Sequence, residues 1–208
     1  MSGDFWTTVA SGSLSGSVSG FLGGGIFSII TTYWTLKHRE KEERKVENIL
    51  VSNTLISIRS ELNTVFNRYQ SQIGNLLENT PSANAPPIYI PISSDYFPIY
   101  RNNTNIIGKI SSEQTIENLV YSYTLSSGLI DSFLFNNSLY EKFTALTAEQ
   151  RRSDNQERFD KLSTEIGAII IEIQDYWEKI RVSHFEMKRI ASLAYTGLTS
   201  EIEKRKNI

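Results

Sequence analysis

The chain has 208 residues, a formal net charge of −2, 39% hydrophobic residues, a mean hydropathy of −0.27 and no cysteine. That hydropathy excludes a multi-spanning membrane protein, and the charge balance supplies no basic surface from which to argue nucleic-acid binding. Without cysteine there is no disulfide framework, thiolate nucleophile or Cys-based metal site.

Residues 1–11 carry one acid, Asp4, and no Lys or Arg. A cleaved secretory leader places positive charge ahead of its apolar core, so cleavage is not expected. The run from Phe5 to Leu36 is uncharged, and within it Gly12, Gly16, Gly20 and Gly24, then Ser28, recur every four residues. On a helix this period makes one face of small residues, along which neighbouring helices approach closely inside a bilayer. Ser13, Ser15, Ser17 and Ser19 bring hydroxyls to the first half, either for a polar path or for close packing in a closed oligomer. Leu14, Val18, Phe21, Leu22, Ile26, Ile29 and Ile30 fall mainly on a different stripe, suited to lipid.

Taken as one helix, Gly12 to Leu36 spans roughly 37 Å, enough to cross a hydrocarbon core of about 30 Å with some tilt. Phe5 and Trp6 before it, and Tyr33 and Trp34 near its end, sit where interfacial aromatic belts belong. The stretch KHREKEERK, residues 37–45, follows at once, with Lys37 and Arg39 nearest the span. Positive charge on that side predicts the N-terminus outside and the C-terminal domain in the bacterial cytoplasm.

From Val46 to Leu77, Leu55, Ile58, Leu62, Val65, Phe66, Tyr69, Ile73 and Leu76 recur at three and four, which predicts an amphipathic helix stopped by Pro81, Pro86 and Pro87. Residues 88–110 lack helical period, and Tyr89, Tyr96, Phe97, Ile99 and Tyr100 predict an ordered loop packed on the helices. Ser111 with Gln114 forms a capping signal for a helix through Leu119, Tyr123 and Phe133 to about Asn136 and Asn137, followed by a short amphipathic piece holding Leu139 and Phe143. A long helix from about Asp154 to Lys206 carries a stripe that includes Phe159, Leu162, Ile166, Ile169, Ile173, Trp177, Ile180, Phe185, Ile190, Leu193 and Leu198. The chain is therefore expected to be all-α: an extracytoplasmic segment 1–11, a transmembrane helix 12–36, a juxtamembrane amphipathic helix 37–78, an irregular ordered loop 79–110 and a helical bundle 111–208.

No residue pattern argues for catalysis. His38 lies at the membrane boundary, and His184 is expected on a helix surface, with no nucleophile elbow near it. Arg181 and His184 have two residues between them, where the motif of HEPN-type helical ribonucleases has four to six. Glu165, Glu172 and Asp175 lack the Glu-x-x-His companion of helical di-iron sites, and the glycines lack the pattern of a phosphate loop. Neither a cofactor nor a metal is expected, and the interleaved acids of Arg151, Arg152 and Arg158 give no strong signal for nucleic acid.

The layout, with FPIYRNNTNIIGKISSEQTIENLVYSY at residues 97–123, resembles small single-pass bacterial membrane proteins with a helical cytoplasmic domain. Some proteins of that layout are membrane effectors of antiviral defence, such as the pore-forming accessory membrane protein of type VI CRISPR loci. The resemblance implies oligomerisation, membrane permeabilisation and growth arrest on infection. The expectation is a non-enzymatic protein whose partners are the lipid bilayer, further copies of itself and a cytoplasmic protein. The alternative is a membrane-tethered interaction module that localises or regulates a partner protein.

Overall fold

In the computed structural model, residues 14–93 and 96–206 are described, with side chains from residue 32 onward. Among the described residues every regular element is helical, so the protein is all-α. The chain divides into two compact units, Met1–Leu50 and Val51–Ile208.

Helix α1, Leu14–Tyr69, contributes to both units. In the first unit its side chains from Thr32 to Leu50 are largely exposed, Tyr33 at 62% and Trp34 at 74%. Among the described residues no helix is long and apolar enough to cross a membrane. Of the predicted span 12–36, Gly12 and Ser13 lie outside the described residues, and of 14–31 only the helical backbone is described.

The second unit begins where α1 turns apolar on one side: Val51, Leu55, Ile58 and Leu62 recur at four, three and four and are buried. The helix continues through a π-helical turn, Gln70–Gly74, into α2, Asn75–Asn79, with helical backbone at each junction. It stops because Pro81 forces the residue before it out of the helical region, and Thr80 adopts φ −112°, ψ 109°. A 3-10 turn, Ser82–Asn84, leads into an extended strap over residues 85–93.

Two short helices follow, α3, Pro98–Asn102, and α4, Thr104–Ile107. They lie where an irregular loop was expected; one helical turn each is too short to leave a readable period. Helix α5, Glu113–Arg151, and helix α6, Gln156–Lys206, complete the unit. The cap of α5 is Ser112, whose hydroxyl accepts from Thr115 N at 3.2 Å, and not the expected Ser111. Ser111 instead donates its N–H and Oγ–H to the buried Glu201 carboxylate, at 3.1 and 3.0 Å. Helix α5 also runs without interruption through Asn136 and Asn137, where an end and a separate short piece were expected.

Trp177, Ile180, Leu198 and Ile202 of α6 form one buried cluster with Leu55, Ile58 and Leu77. A smaller cluster joins Leu139 of α5 to Ile169 and Ile173 of α6. Full burial of each large side chain contributes about 1.5–3 kcal/mol, so these stripes dominate the packing of the second unit.

Candidate functional site

The strap is tied to α5 by two asparagines. Asn137 Oδ1 accepts from Ile90 N at 2.8 Å while its Nδ2 donates to Ile90 O at 2.7 Å, so one side-chain amide pairs with the strap as a neighbouring strand would. Asn136 Nδ2 donates to Ile88 O at 3.0 Å. Further along, the buried Glu61 carboxylate accepts from the first amides of α3, Ile99 N at 2.6 Å and Tyr100 N at 2.9 Å, and from Tyr123 Oη at 3.2 Å. Tyr100 stacks on Tyr123 and Phe97 meets the same ring edge-on, with centroids 3.6 and 4.8 Å apart. These ties fix the strap over the end of α1.

Beneath it lies a cavity of about 530 Å³. Its walls come from Leu62, Phe66, Ile73, Ile90, Leu129 and Phe133, with Arg68 at its edge. Tyr69 contributes its ring to the wall and its hydroxyl to a polar chain running away from it.

That chain is built around His184, the one member of it that is fully buried. Tyr69 Oη lies 2.6 Å from His184 Nδ1, and His184 Nε2 lies 3.0 Å from Glu78 Oε1. The same oxygen accepts from Lys188 Nζ at 2.6 Å and Gln70 Nε2 at 2.9 Å. Hydrogen bonds from Lys188, Gln70 and His184 hold the Glu78 carboxyl at about 2, so it is an acceptor and His184 Nε2 is the donor. His184 Nδ1 then accepts from the Tyr69 hydroxyl. Burial pushes the His184 imidazole below its ordinary value, against the opposing pull of Glu78, which keeps this neutral tautomer in place.

The π-helical turn makes the arrangement reachable. A Cβ on Gly74 would stand 2.7 Å from Gln70 Oε1, so glycine there leaves room for Gln70 to fold back onto Glu78. The added residue of a π turn also alters the register between Tyr69 and Glu78, which are brought to opposite nitrogens of one imidazole.

Hydroxyl, imidazole and carboxylate occur here in the order of a Ser-His-Asp relay. The chemistry differs because burial, and then the Glu78 charge, push the Tyr69 hydroxyl well above the usual phenol range. The protonated hydroxyl donates to His184 and pins the ring in place. Among the described residues no cluster of His, Cys, Asp and Glu could hold a metal ion.

Phe5, Trp6, Gly12 and Ser13 are outside the described residues. Ser15, Gly16, Ser17, Ser19, Gly20, Gly24 and Ser28 lie in the part of α1 described by its backbone alone. Tyr33, Trp34, Lys37 and Arg39 are exposed, and Lys37 Nζ sits 5.9 Å from the Tyr33 ring centroid. His184 is fully buried, which corrects the expectation of a surface histidine. A signal for it existed: Trp177, Ile180, His184, Met187, Ala191, Ala194 and Leu198 recur at three and four, the spacing of one buried face.

Compared with known proteins, the chain matches no family model, no curated protein and no solved structure.

Proposed function

We propose that this is a non-enzymatic, single-pass protein of the bacterial inner membrane that oligomerises through its glycine face and thereby perturbs or permeabilises the bilayer, as a membrane effector of antiviral defence would. The observation that carries this reading is the order of residue types: an uncharged run from Phe5 to Leu36 that holds Gly12, Gly16, Gly20 and Gly24 at a period of four and Tyr33 and Trp34 near its end, followed by five Lys and Arg within residues 37–45. Small residues at that period favour close helix contact in lipid, and the aromatic and basic collar sets depth and orientation, with the N-terminus outside. The exposure of Tyr33 and Trp34 leaves both rings available to an interface.

The test is reconstitution of the full chain in vesicles carrying a trapped dye. Gly16→Leu with Gly20→Leu is expected to abolish both leakage and the oligomer seen by sedimentation in detergent. Leakage that survives the double substitution refutes permeabilisation through this face.

A second reading, a membrane-tethered interaction module, is favoured by the exposed Val182 and Phe185 on α6, at 62% and 44%. Replacing residues 5–36 with an unrelated transmembrane helix separates the two: a tethered module keeps its function and a membrane-perturbing span loses it.

A further inference from the structure

The cavity beneath the strap is used by neither the polar chain nor the packing around it. At about 530 Å³ it falls within the range of small-molecule sites, roughly 300–1,000 Å³. Its walls are chiefly aliphatic and aromatic, so a polar occupant would leave its own groups unpaired against them. Among the described lining residues a single side chain is charged, Arg68. It is exposed, and its guanidinium has no carboxylate within ion-pair distance among the described residues. Gln72, four residues on, lines the same edge. The Tyr69 hydroxyl is engaged by His184 and offers the cavity only its ring.

We infer that the cavity binds a single-chain anionic amphiphile, with its aliphatic tail between α1, the strap and α5 and its carboxylate or phosphate on Arg68. An apolar body satisfies the walls, each buried methylene adding about fourfold in affinity, and an anion answers the lone guanidinium. Free long-chain fatty acids and lysophospholipids share this chemistry. The assignment goes beyond the membrane activity proposed above and does not rest on it.

The cysteine-free sequence allows a direct test. Ser126 lines the cavity and Ser192 is exposed on α6. The full chain carrying S126C or S192C, in phosphatidylcholine nanodiscs, is treated with a water-soluble methanethiosulfonate. Saturating palmitate is expected to slow labelling of S126C at least tenfold and to leave S192C unchanged. Hexadecanol, with the same tail and no charge, should need at least tenfold more to protect, and R68Q should erase that difference. Palmitoyl-lysophosphatidate is run beside palmitate; protection by either supports the site, and the lower effective concentration identifies the source. Absence of protection by both anions in a variant whose circular dichroism matches wild type overturns the site. Equal protection by hexadecanol and palmitate overturns the role of Arg68. Independently, palmitate should raise the melting temperature of the unsubstituted chain, and Leu129→Trp, which fills the cavity, should remove the rise. Dye leakage does not enter these readouts, so a chain that leaks nothing can still confirm the site.

Discussion

His184 closes two hydrogen bonds inside the core with one neutral imidazole, and its protonation is therefore linked to stability. Burial holds its pKa below the ordinary 6.5. As pH falls through about 6.5 the unfolded chain takes up a proton that the folded chain refuses, so stability is lost on acidification. Glu78 adds a second step. Its carboxyl sits at about 2 when folded against 4.5 when free, so its contribution is full above about 4.5 and is lost from there toward 2. The urea midpoint of the wild type should fall between pH 7 and 5.5 and fall again below 4.5. His184→Gln should flatten the first step and keep the second, and a wild-type midpoint constant from pH 7 to 5.5 would show that folding does not exclude the proton. His184→Ala at neutral pH leaves a cavity and strands the Tyr69 hydroxyl, while Glu78 keeps Lys188 and Gln70, at a cost of about 2–4 kcal/mol by urea denaturation.

At the scale of elements, the all-α class and the long helices could be read from spacing, because three-and-four recurrence survives over many turns. The misses have local physical causes. Asn136 and Asn137 looked like a helix end, yet their side chains reach the strap's backbone at Ile88 and Ile90 and so do not compete with the helix's own hydrogen bonds. On α6, Phe185 and Leu193 fit the apolar stripe by residue type, but both are 44% exposed while His184 and Ala194 are fully buried. Small and hydrogen-bonded polar residues held the face where hydrophobicity alone pointed elsewhere. The cavity could not be read at all, since it depends on where the strap is tied.

A Cβ on Gly197 would stand 2.6 Å from Thr115 Oγ1 and 2.8 Å from its Cγ2, whereas one on Gly167 meets nothing within 4 Å. Gly197→Ala should destabilise by about 1–3 kcal/mol and Gly167→Ala should stabilise by up to about 1 kcal/mol. Thr115→Ala in the Gly197→Ala background should recover most of the loss in a double-mutant cycle. Equal effects at the two glycines would mean that the helices can separate there without cost. The strap offers a parallel test: Glu61→Ala removes the acceptor of Ile99 N and Tyr100 N and should speed hydrogen exchange at those amides, with about 1–3 kcal/mol lost.

At the scale of the whole molecule, the apolar core of described residues begins at Val51, and the uncharged run ends at Leu36. Removing the first 36 residues should therefore leave the helical unit folded. The two parts thus divide the work that the proposed function requires. A chain of residues 37–208 is expected to keep the helical circular dichroism and urea midpoint of the full chain, to stay in the supernatant after high-speed centrifugation of lysed cells, and to lose dye leakage. The full chain should remain in the pellet after alkaline carbonate, which strips peripheral proteins and leaves spanning ones. Extraction of the full chain by carbonate would refute the span. A pelleted, carbonate-resistant fragment 37–208 would show that membrane attachment resides in the helical unit, where the exposed Val182 and Phe185 become the surface to examine.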